Sequence, residues 1–89
     1  MTEQHVNIAA KMYKARSSMK SLFGESYPDK VKVYMDIVKA VSKREGVGEI
    51  ESAIKLIKDA NEKHQDYSGI LGVWILAATV ELIEPSFKP

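Results

Sequence analysis

Ile70-Leu71-Gly72-Val73-Trp74-Ile75-Leu76-Ala77-Ala78-Thr79-Val80-Glu81-Leu82-Ile83-Glu84 is the stretch that decides how this chain folds. Pro85 stops it as a helix, because proline has no amide hydrogen to donate and its ring clashes with the preceding turn. At 3.6 residues per turn, Leu71, Ile75, Ala78 and Leu82 fall on one side, while Val73, Leu76, Val80 and Ile83 fall on nearly the opposite side. A helix with two apolar stripes must be covered twice. Either it sits centrally among helices of its own chain, or it also packs against a second chain. A domain of this size buries only roughly 60% of the surface its unfolded chain exposes, so central burial is hard and the reading favours a second copy. The predicted dimer interface is Val73, Trp74, Leu76, Val80 and Ile83, with Trp74 at the seam between the stripes.

The same period organises the rest of the chain. Ile8, Met12, Ala15, Met19 and Leu22 define one face of a first helix over about 3–23, which Gly24 ends. Ser26 to Asp29 reads as a capping box with Pro28 in the first turn, opening a second helix over about 28–45. Its buried stripe is Val31, Tyr34, Met35, Val38 and Val41, with Ile37 on the shoulder. Gly46, Val47 and Gly48 connect it to a third helix over about 49–63, with core face Ile50, Ala53, Ile54, Ile57 and Ala60. Glu51 precedes Lys55 by four residues, the better order for a helical ion pair and the mark of a solvated face. Asn61 to Ser68 is polar, and Asp66 or Ser68 is placed to cap a fourth helix over about 68–84. In the tail, Phe87 is the one residue expected to dock. The prediction is an all-α fold, a single small bundle of about four amphipathic helices forming one domain over 1–89.

Composition excludes several classes. Of the 89 residues, 45% are hydrophobic and 28% charged, the balance of a globular protein rather than a disordered one. There is no cysteine, hence no disulfide framework, thiolate metal site or thiol nucleophile. The first residues carry Glu3 and no apolar run behind a basic segment, so no secretory signal is read and a cytoplasmic location is expected. The apolar run Ile70–Val80 is about half of the roughly 20 residues that span a bilayer, so no membrane role is expected.

No catalytic set can be drawn. His5 and His64 are the only histidines, and neither has a partner at a metal-ligand spacing. Glu81 and Glu84 lie one turn apart, but the Glu-x-x-His motif of a bundle metal site is missing. None of the serines sits in a Gly-x-Ser-x-Gly elbow, and no phosphate-cradling loop passes through Gly46 and Gly48. The expectation is no enzyme, no cofactor and no metal.

Nucleic-acid binding is the alternative. Residues 1–23 hold Lys11, Lys14, Arg16 and Lys20 against Glu3, and these four are the candidate nucleic-acid contacts. On a helical wheel, however, Arg16 and Lys20 flank the apolar face on one side, and Lys11 and Lys14 on the other. The second and third helices suggest a helix-turn-helix, yet the would-be recognition helix opens with Glu49 and Glu51, which would meet phosphates with like charge. This reading is disfavoured. Residues 66–89 carry Asp66, Glu81 and Glu84 against Lys88, so the first and fourth helices have opposite charge, as neighbours in a bundle would. Tyr13, Tyr27, Tyr34, Tyr67 and Trp74 are candidates for a binding surface, Tyr34 being read rather as core.

Ile8-Ala9-Ala10-Lys11-Met12-Tyr13-Lys14-Ala15-Arg16, the Tyr27-Pro28 turn before Tyr34-Met35, and Trp74-Ile75-Leu76-Ala77-Ala78-Thr79-Val80-Glu81 resemble small uncharacterised helical proteins encoded by bacteriophages and prophages. The resemblance spans most of the chain and rests on core-pattern residues. It implies a shared bundle and a phage or prophage setting, without an activity or a functional residue to carry over. By that analogy the chain, read above as pairing with itself through its last helix, is expected to bind a host or phage protein rather than to catalyse.

Overall fold

The computed structural model describes the backbone of residues 3–63 and 68–84 and the side chains of 10–63 and 69–84. Four α-helices run in order: α1 (Glu3–Phe23), α2 (Tyr27–Glu45), α3 (Glu49–Lys63) and α4 (Ser68–Ile83), with a 3-10 turn at Gly24–Ser26 joining α1 to α2. The fold is all-α. Expectations placed on His5, His64, Asp66, Tyr67, Ser68 and Phe87 as side chains lie outside the described residues.

The junction of α1 and α2 differs from the expected capping box. Gly24 takes φ +51°, a left-handed conformation that glycine enters without a Cβ penalty, and this ends α1. The backbone then continues as a 3-10 turn in which Tyr27 N–H donates to the Gly24 carbonyl. The Tyr27 amide is thus served by the preceding turn, and Ser26 Oγ makes no cap. It donates instead to the Phe23 carbonyl at 2.9 Å. The other end of α2 is capped by Gly46 at φ +69°, whose N–H reaches the Ser42 carbonyl at 2.9 Å, with Val47 N–H on the same oxygen at 3.2 Å.

Helix α4 sits centrally. It packs against α1, α2 and α3, and its side chains feed two clusters that do not follow the two stripes, since Ala78 and Ile75 of one stripe go to different clusters. In one, Trp74, Ala77 and Ala78 meet Ala15 and Met19 of α1 and Tyr27 and Val31 of α2. In the other, Ile75 meets Val38 of α2 and Ala53 of α3, with Leu56, Ile57 and Leu82 around them. Small residues make this possible in so short a chain. Gly72, Ala77, Ala78 and Thr79 are buried at positions spread round α4, so three helices approach its axis closely. A Cβ at Gly72 would stand 4.0 Å from Ile57 Cγ1. The Thr79 hydroxyl, fully enclosed, is satisfied by the Ile75 carbonyl at 2.7 Å.

Most of the expected core face is buried, including Met12, Ala15, Met19, Val31, Val38, Val41, Ala53 and Ala60. Leu22 departs from the pattern. It is 75% exposed, at the outer rim of the α1–α4 seam rather than inside it. Among the described residues, no helix is long and apolar enough to cross a membrane, and no group of three His, Cys, Asp or Glu is placed to hold a metal ion.

Candidate functional site

Trp74 projects from the first half of α4 into a clasp of three rings. Tyr34 stacks on it with centroids 5.4 Å apart and planes 4° from parallel. Phe23, the last residue of α1, meets it at 5.1 Å and 43°, and Tyr27, the first of α2, at 6.0 Å and 25°. The sequence supplies this arrangement locally. The turn at Gly24 sets Phe23 and Tyr27 four residues apart at one corner, and Tyr34 stands two turns further along the same face of α2.

Outside this clasp the surface stays apolar. Phe23, Lys30, Val33, Tyr34 and Trp74 line a shallow depression of about 230 Å³. Val33 is 58% exposed, and Ile37, one turn along α2, and Ile70, one turn before Trp74 on α4, are exposed as well, Ile70 at 62%. Apart from Lys30, whose Nζ lies 5.5 Å from the Phe23 ring centroid, the lining carries no charge among the described residues. Lone exposed apolar side chains are ordinary, but several set together around stacked aromatic rings form the kind of patch that marks a contact surface.

Beneath the clasp lies a buried polar pair. The Tyr27 hydroxyl donates to Glu81 Oε2 at 2.6 Å, and both residues are enclosed. Burial is the largest influence on the phenol. Together with the hydrogen bond to Glu81 and that carboxylate's charge, it raises the Tyr27 pKa above its ordinary 10.0, opposed by the charge of Arg16. Lys20 Nζ lies over the Tyr27 ring at 5.7 Å. One turn on, Glu84 Oε2 is buried with no hydrogen-bond partner among the described residues. Sequence reading missed the Tyr27–Glu81 bond. The available signal was the carboxylate itself, placed on α4 between Ala77 and Ala78 on the wheel, where a buried acceptor demands a donor.

The five residues expected at a dimer interface separate. Trp74 and Val80 are enclosed by the chain's own helices and present nothing to a second copy, which corrects that expectation; Trp74 packs with Ala15 and Met19 of α1 and Tyr27 and Val31 of α2. Val73 and Leu76 are half-buried along a second groove between α1 and α4, and Ile83 is half-buried at the end of α4. The four candidate nucleic-acid contacts separate too. Lys11 and Lys14 edge that groove, whereas Arg16 lies over the Tyr13 ring at 5.6 Å and Lys20 over Tyr27, so no continuous basic stripe forms. At the start of α3, Glu49 and Glu51 stand where a recognition helix needs donors. Comparison with models of protein families, with curated proteins and with solved structures finds no match for this chain.

Proposed function

We propose that this protein is a non-enzymatic accessory protein that works by protein–protein contact, and that the face formed by Phe23, Val33, Ile37 and Ile70 pairs two copies of the chain. The observation that carries the reading is the exposure of Phe23 and Val33 at the depression beside Trp74, with Ile37 one turn further along α2 and Ile70 one turn back along α4 exposed as well, and with Lys30 the one charge among the described lining residues. A two-fold contact brings identical patches together, and a patch whose described lining holds Lys30 as its single charge meets its own copy with little repulsion. Rigid aromatic rings already stacked on each other lose little freedom on contact, which favours binding. The interface thereby moves from the stripes of α4 to the outer edges of α1, α2 and α4. Tyr27 and Glu81 serve the fold in this reading, since both are closed to substrate. The resemblance to phage and prophage proteins suggests the setting.

Sedimentation velocity over a range of concentrations tests the proposal. The wild-type chain is expected to sediment as a dimer at high concentration. Val33→Glu combined with Ile37→Glu is expected to stay monomeric with unchanged helical circular dichroism, because both side chains are exposed. A wild-type chain that remains monomeric throughout, or a double variant that still dimerises, overturns it.

A further inference from the structure

On the other side of the α1–α4 seam from Trp74 runs a groove of about 410 Å³. Ala15 and Met19 of α1 form its floor, and Val73 and Leu76 of α4 its far wall. Leu22 stands exposed at one end, and Lys11 and Lys14 edge the other. From Lys11 to Leu22 the α1 wall extends for about three turns, roughly 16 Å at 1.5 Å per residue. Small residues, Ala15 and Ser18, occupy the middle of that wall and leave room for another backbone to come close.

We infer that this groove binds an amphipathic helix of a different protein, one with an apolar stripe and with Asp or Glu at the end that meets Lys11 and Lys14. Length and lining suit a helix laid in a groove, anchored by apolar side chains at i, i+3 or i+4, and i+7. Charge chooses the partner. Among the described residues no acidic residue lines the groove, and α1 has none from Ala10 to Phe23. A second copy placed there by a two-fold axis along the groove would set Lys11 and Lys14 against the same lysines, and one placed by an axis across it would set them against the Leu22 end; neither gives the lysines an acidic partner, which disfavours self-pairing on this side. Nucleic acid would meet exposed Leu22 and the carbon wall of Val73 and Leu76, while Arg16 and Lys20 lie away on the opposite flank.

The test uses the full chain, labelled with nitrogen-15, and two designed helical peptides that share one leucine stripe. The first flanks the stripe with Glu, the second with Lys. The Glu peptide is expected to shift the amides of Lys11–Leu22 and Val73–Leu76, to bind about tenfold tighter than the Lys peptide, and to weaken with added salt. Lys11→Glu with Lys14→Glu, both exposed and harmless to the core, is expected to reverse that preference, and Leu22→Ser to weaken both peptides. Equal binding of the two peptides, no binding, or shifts confined to Phe23, Val33 and Ile37 overturns the inference. So does a dilution series without peptide that moves the groove amides, which would put a second copy there. Because the two faces lie on opposite sides of the seam, failure here leaves the pairing through Val33 and Ile37 standing.

Discussion

Tyr27 and Glu81 show how one hydrogen bond ties helices that are far apart in sequence. Tyr27→Phe removes the donor and leaves the Glu81 carboxylate enclosed without it, so urea denaturation is expected to find the variant less stable by roughly 1–3 kcal/mol. Pairing Tyr27→Phe with Glu81→Leu removes acceptor and donor together and is expected to recover much of that loss, a non-additivity that marks a direct bond. The same pair makes an alkaline weak point. Because the folded-state pKa of Tyr27 is raised, the folded protein holds that proton more tightly than the unfolded chain does. Its contribution to stability is complete below the ordinary value of 10.0 and is lost as pH climbs above it. Chemical denaturation at neutral pH and above pH 10.0 is expected to show a drop for the wild type that is smaller in Tyr27→Phe. An equal drop in both would remove Tyr27 as its cause.

Among the elements, α4 holds the lesson about what the sequence could disclose. Its C-terminal end was legible, because Pro85 stops any helix, and so were both stripes, because their spacing follows from helix geometry alone. Its coverage was not. Whether two stripes are covered from inside or outside depends on how closely neighbours approach, which is set by the small residues Gly72, Ala77, Ala78 and Thr79, and an apolar periodicity does not record side-chain size. Ala77→Leu therefore tests the packing: it forces bulk into a fully enclosed contact with α1 and α2 and is expected to cost about 1–3 kcal/mol by thermal or urea unfolding. The α1–α2 junction was half legible. Gly24 as a stop was plain, but the capping box did not form because Ser26 Oγ donates back to the Phe23 carbonyl across the 3-10 turn. At the next junction Gly46 carries φ +69°, so Gly46→Ala is expected to lose about 1 kcal/mol or somewhat more, although space for a methyl is open.

At the scale of the whole molecule, the chain closes its core with small residues and leaves apolar surface on either side of the α1–α4 seam. The aromatic residues that surround one of these surfaces were readable as candidates, but their stacking was not, since it unites the end of α1, two positions on α2 and one on α4. Val33 and Ile37 gave little warning, because a helix shoulder exposed to water and one covered by a partner have the same periodicity. Pairing through this face is the central claim, and it is tested most directly by amide spectra of the labelled chain over a dilution series. The expected result is concentration-dependent shifts confined to Phe23, the Lys30–Ile37 turns of α2 and the Ile70–Trp74 turn of α4. Spectra that do not change with concentration, or changes that map elsewhere on the molecule, would contradict it.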